Sequence, residues 1–165
     1  MDAYLDIETT GLSPFADAIT VVGIYRDTPE GFVLRQLVGG DVTAGNLMAA
    51  LDGVRHLYTY NGARFDLVFI ECKLGVELKS RLTHTDLMHS CWSKGLYGGF
   101  KAVERQLGIQ RVLQGVSGLD AVDLWWRYVR RGDQHALRKL LDYNREDVVN
   151  LKVLRELLSV NQVAQ

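Results

Sequence analysis

Two carboxylates lie two residues apart near the start of the chain, in the segment YLDIETTG at residues 4–11. Residues 2–8 alternate as a strand does, so Asp6 and Glu8 point to one face and Leu5 and Ile7 to the other. Two like charges this close repel, and a first, central strand has no solvated face for them. A bound divalent cation would resolve the repulsion. The alternative is that both side chains lie at an exposed strand end and contact only water.

A third carboxylate follows a predicted strand and an Asn-Gly turn, in the segment YNGARFD at residues 60–66. Asp66 would open a helix there and could point into the same site. An aspartate in the first helical turn also commonly caps the helix and offsets its dipole. Both interpretations of Asp66 are open on the sequence.

A fourth carboxylate lies in a long helical pattern, in the segment YNRED at residues 143–147. Residues four apart share a helical face, so the Tyr143 hydroxyl and the Asp147 carboxylate can address one site. The same helix has an apolar stripe that includes Leu140, Leu151 and Leu154, and its packing would turn that face toward a sheet. The alternative is an ordinary half-buried tyrosine and a solvated aspartate.

The elements that must position these residues follow from periodicity and turn signals. Thr43 is a plausible N-cap for the first helix. The pattern predicts an α/β (α+β) domain with a mixed central β-sheet flanked by α-helices. The predicted strands are 2–8, 18–25, 31–38, 56–60 and 82–85, and the predicted helices are 44–51, 65–74, 86–94, 100–107, 119–131 and 134–160.

Composition narrows the class of protein. The chain has 165 residues, of which 47% are hydrophobic and 24% charged, which predicts a single domain over residues 1–165. The four histidines are scattered and there is no CxxC pair, which disfavours zinc. No uncharged run approaches the roughly 20 residues of a membrane helix, and the chain enters a strand at once without a signal peptide. We therefore expect a cytoplasmic protein with no membrane partner.

Three motifs in this order resemble the DEDD superfamily of 3′-to-5′ exonucleases. The segment at residues 6–11 is similar to the family's DxETTG form, and residues 60–66 are similar to the YNxxxFD form of polymerase proofreading domains and bacterial stand-alone domains. Residues 143–147 are similar to the YxxxD form, and Tyr143 places the chain with the DEDDy branch. The resemblance implies a ribonuclease H-like fold and a hydrolase that releases nucleoside monophosphates from the 3′ end of DNA or RNA.

The resemblance also implies a role for each motif residue. Two divalent ions, Mg²⁺ or Mn²⁺, would be held by four carboxylates: Asp6 bridging both ions, Glu8 and Asp147 on the ion that activates water, and Asp66 on the second. Tyr143 would orient the attacking water, since a phenol with a reference pKa near 10 is a poor base at neutral pH.

Several further polar residues have two interpretations each. Asn61 could contact the scissile phosphate or serve only the turn, and Lys101 could bind phosphate at a helix start or be solvated. Asp86 is expected to cap a helix, and a role in the site is the alternative. Cations of the last two helices could hold a strand's backbone or form a solvated surface, and one or more neighbouring aromatic rings could be exposed for base stacking while core packing takes the others. These cations are Arg127, Arg130, Arg131, Arg138 and Lys139, and the rings are Trp125, Trp126 and Tyr128.

Three other functions compete with the exonuclease. Haloacid-dehalogenase-type phosphatases begin with DxDx[TV], but here the third position is Glu8. The chain could also be a ribonuclease H-like structure-specific endonuclease or a non-catalytic nucleic-acid-binding module. The net charge of −1 lacks the basic excess of many nucleic-acid binders, but four of the acidic residues belong to the predicted site and two bound divalent ions would make the total positive. Protein partners stay open.

Overall fold

The structure is a computed structural model that describes residues 1–160. Along these residues there are five strands and six helices, in addition to short 3₁₀ turns at 39–41 and 78–80; three strands come first and four helices come last. The strands are β1 (Asp2–Thr9), β2 (Ile19–Thr28), β3 (Gly31–Val38), β4 (His56–Thr59) and β5 (Thr83–Asp86). The helices are α1 (Ala44–Ala50), α2 (Asp66–Leu74), α3 (Leu87–Trp92), α4 (Phe100–Leu107), α5 (Gly118–Arg131) and α6 (Gln134–Val160).

The strands form one mixed sheet in the order β3-β2-β1-β4-β5. β1 pairs antiparallel with β2 and parallel with β4, while β2 and β3 form an antiparallel hairpin and β4 and β5 are parallel. The predicted mixed α/β architecture is therefore confirmed, and the first strand is the central one. A central strand is covered on both faces, so any carboxylate on it needs a partner.

Successive side chains of β1 point alternately into two hydrophobic cores, one on each face of the sheet. Leu5 and Ile7 belong to a core formed with α1 and α2, which includes Leu47 and Phe69. Tyr4 faces the opposite side and packs in a second core that is lined by α3, α4 and α6. Because side chains two apart share a face, Asp6 and Glu8 lie on the α6 side of the sheet with Tyr4.

The long helix α6 begins at the predicted residue, Gln134, and carries the expected apolar stripe, since Leu140, Leu151 and Leu154 are buried. Its approach to the sheet depends on Gly23 of β2, where an added Cβ would lie 2.1 Å from Oδ1 of Asn144. The buried Asn144 amide donates to the backbone oxygen of Asp6 at 3.3 Å. The glycine lets the polar face of α6 contact the centre of the sheet.

Element ends differ from the sequence prediction where side chains set them. The strand predicted at 82–85 runs to Asp86, and the following helix begins one residue later than predicted, because the Asp86 carboxylate accepts from the Met88 amide as an N-cap. That helix ends at Trp92, two residues before the predicted end. β2 extends to Thr28 because its pairing with β3 continues to a two-residue turn. Thr43 caps α1 as predicted. Within the described residues, none of the helices has the length and apolar character needed to cross a membrane.

Candidate active site

Three carboxylates from distant parts of the chain meet at the centre of the sheet. Asp6 and Glu8 come from β1 and Asp147 comes from α6, and one oxygen of each lies within 4.8 Å of the others. The predicted common face of Asp6 and Glu8 and the predicted inward face of Asp147 are both present. An exposed strand end does not describe Glu8, and a solvated helical charge does not describe Asp147, since both side chains are buried.

The donor set of this carboxylate group fits a hard divalent cation. All its candidate ligand atoms are carboxylate oxygens, which Mg²⁺ and Mn²⁺ prefer. Oε1 of Glu8 is buried and has no hydrogen-bond partner among the described residues. A buried acceptor without a partner is costly, and a bound cation would satisfy it.

The carboxylates raise one another's proton affinity. Burial raises the pKa of Asp6 and of Glu8 well above the usual range, and the Asp147 carboxylate raises both further. Burial also raises the pKa of Asp147 to about 6, although the guanidinium of Arg111 opposes this shift. Without a cation, these carboxylates therefore keep their protons to a higher pH than ordinary carboxylates do, and ionising them costs stability.

Asp66 lies near this group but has a bond of its own. It is the first residue of α2, and its Oδ1 accepts a hydrogen bond of 3.0 Å from the backbone amide of Ile7, which lies between Asp6 and Glu8. Its position in the first turn of α2 agrees with the interpretation that its charge offsets the helix dipole, and its side chain also bonds to β1. Burial raises its pKa to about 7, while the backbone amides of Asp66 and Ile7 lower it.

Tyr143 lies one turn before Asp147 on the same face of α6, as predicted, and is buried. Its hydroxyl oxygen accepts a hydrogen bond of 2.7 Å from Nζ of Lys101, which also donates to the backbone oxygen of Val116. Burial and then the Asp147 carboxylate raise the pKa of Tyr143, so its hydroxyl stays protonated. Burial lowers the pKa of Lys101. The interpretation of Lys101 as a freely solvated side chain is wrong.

Arg111 is the functional-site neighbour that the sequence did not reveal. Its guanidinium forms an ion pair with Asp147 through Nη2 and with the buried Glu104 through Nε at 2.5 Å. It lies in the loop between α4 and α5, where no local pattern marks it. The one signal in the sequence was Glu104 itself, since a charged residue on the apolar face of α4, beside Phe100 and Val103, requires a buried partner.

The turn that precedes α2 is held by Asp86, not by the site. Oδ1 of Asp86 accepts from the Asn61 amide at 2.7 Å and Oδ2 accepts from the Ala63 amide at 3.0 Å. Asn61 has a φ of 61°, a left-handed conformation that asparagine tolerates, and its side chain is exposed. The expected cap role of Asp86 is confirmed and extended. The turn role of Asn61 is present, and its contact with a substrate stays a prediction.

An open cleft of about 510 Å³ leads to the carboxylates. Asp6, Asp147 and Tyr143 line one part of it, and the stacked rings of Tyr60 and Phe100, with centroids 5.1 Å apart, line another. The cleft therefore presents acidic oxygens, an ammonium group and an aromatic surface in one depression. This combination suits a ligand that carries both phosphate and a flat ring.

The basic cluster of α5 and α6 is exposed but partly engaged. Arg127 pairs with Asp133 at 2.7 Å, and the guanidinium carbon of Arg130 lies 4.8 Å from the centre of the Trp126 ring. Nη2 of Arg138 lies 2.9 Å from Nδ1 of His135, whereas Arg131 and Lys139 are simply exposed. The prediction of an exposed stacking ring is wrong, because Trp125, Trp126 and Tyr128 are all half-buried.

The raised carboxylate pKa values predict a pH-dependent stability of the metal-free protein. The folded chain binds protons more tightly than the unfolded chain between the ordinary aspartate pKa, 3.8, and the folded value of about 7 at Asp66, so this contribution to stability falls as pH rises. Burial lowers the pKa of His56 and His84, which acts in the opposite direction. Comparison with Asp66→Asn separates the two effects, since the amide oxygen can still accept from Ile7.

We expect the melting temperature of metal-free Asp66→Asn to exceed that of the parent increasingly from about pH 5 to about pH 8. Each kcal/mol of difference in the free energy of unfolding should shift the melting temperature by about 2–4 °C in a chain of this size. Circular dichroism melts in chelator at several pH values measure the difference. A difference that stays constant or shrinks with pH contradicts the assigned burial of a charged carboxylate.

A mixed sheet with β1 at its centre and clustered carboxylates on one face defines the structural class. The sequence model of the RNase H superfamily matches residues 3–159, and the chain belongs to that superfamily. The predicted ribonuclease H-like fold is confirmed by this match. Among curated proteins, none matches the chain.

Solved structures of proteins with low sequence identity to this chain have the same fold. The family B DNA polymerase of Pyrobaculum calidifontis is 17% identical with a TM-score of 0.70, over 95% of this chain and 24% of the polymerase chain. Brucella melitensis NrnC bound to pGG is 22% identical with a TM-score of 0.65, over 95% of this chain and 71% of that one. NrnC with bound Mg²⁺ is 20% identical with a TM-score of 0.64, over 96% and 71% of the two chains.

Proposed function

We propose that this protein is a hydrolase of the DEDDy type that removes nucleotides from the 3′ end of DNA or RNA with the help of two divalent ions, Mg²⁺ or Mn²⁺. The observation that carries the proposal is the meeting of Asp6, Glu8 and Asp147 within 4.8 Å, with Tyr143 one helical turn away. Superfamily membership and the Mg²⁺-bound and pGG-bound structures of NrnC support it.

The proposed ligand set follows from position and chemistry. Asp6, Glu8 and Asp147 would supply oxygens to one ion, and Asp66, which lies beside β1, would contribute to a second. When bound, the ions supply activation of water and neutralisation of charge on the phosphate. The reciprocal rise in carboxylate pKa means that cation binding and proton release are coupled.

Tyr143 and Lys101 position the reactants. Lys101 donates to the Tyr143 oxygen, which leaves the phenol hydrogen free to bond a water or a phosphate oxygen in the cleft. Because Tyr143 stays protonated, it orients the attacking water and does not take its proton. The stacked rings of Tyr60 and Phe100 line the same cleft and would receive the terminal base.

The reaction is a hydrolysis. The oxygen of water forms a bond to the phosphorus between the last two nucleotides, and the bond from that phosphorus to the 3′ oxygen of the preceding nucleotide breaks. The products are a nucleoside 5′-monophosphate and a chain shortened by one residue that ends in a 3′ hydroxyl. The preceding 3′ oxygen receives a proton as it leaves.

End-labelled substrates test the direction of cleavage. With a 5′ label, the exonuclease should produce a ladder of products that shorten one nucleotide at a time, and with a 3′ label it should release a labelled mononucleotide at once. Single strands and duplexes of DNA and RNA, together with a 5′-phosphorylated dinucleotide, should be compared in Mg²⁺, in Mn²⁺ and in chelator.

Each competing function has its own outcome in the same assay. Internal fragments without a ladder would indicate a structure-specific endonuclease. Intact substrates in both metals, with retention of the nucleic acid by the protein, would indicate a non-catalytic binding module. Either result contradicts the proposed exonuclease.

A further inference from the structure

A buried acid on α4 fixes one edge of the Arg111 side chain. Oε2 of Glu104 accepts from Nε of Arg111 at 2.5 Å, and Oε1 accepts from Nδ2 of Asn150 at 2.8 Å. The same Asn150 amide donates to the backbone oxygen of Gln110 at 3.2 Å, which ties the residue before Arg111 to α6. Glu104 is therefore held between a loop and a helix, and the guanidinium is held with it.

A second nitrogen of the same guanidinium holds Asp147. Nη2 of Arg111 donates to Oδ1 of Asp147, and only 9% of the Arg111 side chain is exposed. The rings of Phe100 and Tyr143 have their centres 5.6 and 5.9 Å from the guanidinium carbon. A planar fork that is anchored at one edge and flanked by two rings has little freedom to rotate, so it imposes one orientation on the carboxylate it bonds.

We propose that Arg111, itself fixed by Glu104, is a positioning residue for Asp147. By holding one oxygen of Asp147, the guanidinium keeps the carboxylate in the orientation that completes the group with Asp6 and Glu8. This inference rests on the proposed function, because it acts through one of the proposed metal ligands. Neither Arg111 nor Glu104 belongs to the three sequence motifs.

Two physical effects of Arg111 on a bound cation have opposite signs. A hydrogen-bonded partner that orients a ligating carboxylate strengthens metal binding, and loss of such a partner typically costs about 10–100-fold in affinity. If the Arg111 guanidinium only paired with Asp147 without orienting it, its positive charge would instead compete with the metal ion for the carboxylate and repel the ion. The Glu104 anchor favours the first effect, because the negative charge of Glu104 offsets that of the guanidinium.

The test measures Mn²⁺ affinity from the electron paramagnetic resonance signal of free Mn²⁺, with no nucleic acid present. Arg111→Met is expected to weaken binding about 10–100-fold. Arg111→Lys keeps the charge without the planar fork, so its affinity should fall between those of the parent and Arg111→Met. The double variant Glu104→Gln/Arg111→Met removes both charges together and leaves no unpaired acid at 104, so it preserves the test if the single variant does not fold.

Arg155→Met is the matched control. Arg155 is also partly buried and pairs with Asp2 at 2.7 Å, at the opposite end of β1 from Glu8, so its loss should leave Mn²⁺ affinity unchanged. Unchanged or tighter Mn²⁺ binding in the Arg111→Met and double variants overturns the positioning role. Failure of the unsubstituted chain to bind Mn²⁺ would contradict the proposed function itself, so the two failures are distinguishable.

Discussion

Asp6→Asn and Asp147→Asn are each expected to lower the rate of 3′-end cleavage by more than about 100-fold, since loss of a mere outer partner of a metal ligand already costs about 10–100-fold. Each substitution replaces a charged carboxylate by a neutral amide of nearly the same shape, within the carboxylate group that includes Glu8. An amide nitrogen cannot ligate a cation, and the loss of one negative charge weakens the attraction of the whole group. Single-turnover cleavage of a labelled strand measures the effect.

Folding should survive both substitutions. In Asp147→Asn the amide oxygen can still accept a hydrogen bond from Arg111, and removal of one charge relieves the repulsion that raises the pKa of Asp6 and Glu8. The melting temperature in chelator should therefore be equal to or higher than that of the parent. Asp142→Asn is the matched control, because Asp142 is an exposed residue of the same helix, and it should retain parental activity. Parental rates in the Asp6 and Asp147 variants would contradict the site or reveal a contaminating nuclease.

Tyr143→Phe is expected to lower kcat by about 100-fold, the size of loss that follows when a reactant, here the attacking water, is misplaced. The substitution removes the hydroxyl that Lys101 contacts at 2.7 Å and keeps the ring. Because Tyr143 is not one of the clustered carboxylates, Mn²⁺ affinity should change little. Rates at saturating Mn²⁺ and the affinity for Mn²⁺ measure the two parts separately.

Tyr25→Phe provides the control for the loss of a phenol group. Tyr25 lies on β2, where its ring stacks on Phe32 with centroids 5.0 Å apart, and its variant should keep the parental rate. A collapse of Mn²⁺ affinity in Tyr143→Phe would mean that the hydroxyl supports the metal site and not the water. An unchanged rate would remove Tyr143 from the reaction.

The placement of the acidic residues could be predicted because it depends on local periodicity. Asp6 and Glu8 share a face because the strand period is two, and Tyr143 and Asp147 share a face because they are four apart in a helix. The start of α6 at Gln134 followed from the same regular pattern. These rules act over a few residues, so the sequence alone was sufficient.

The contacts around the acidic residues could not be predicted in the same way. Arg111 meets Asp147 across 36 positions of sequence, and Asn144 meets Asp6 across 138 positions. Such pairs depend on the path of the loop after α4 and on the close approach of α6 to β2 at Gly23. The periodicity of the sequence does not encode these tertiary contacts. The Asp66 carboxylate illustrates the limit: the sequence suggested a cap or a ligand, and the structure shows a bond to the amide of a neighbouring strand.

The position of bound Mn²⁺ would show whether the clustered carboxylates form the metal site. Crystals of the protein soaked in Mn²⁺ should show anomalous density at about 2.2 Å from oxygens of Asp6, Glu8 and Asp147, within the range of hard-cation ligand distances. The same density should be absent or strongly reduced in Asp6→Asn crystals. Anomalous density elsewhere, with none at these carboxylates in a preparation that cleaves nucleic acid, would contradict the proposed active site.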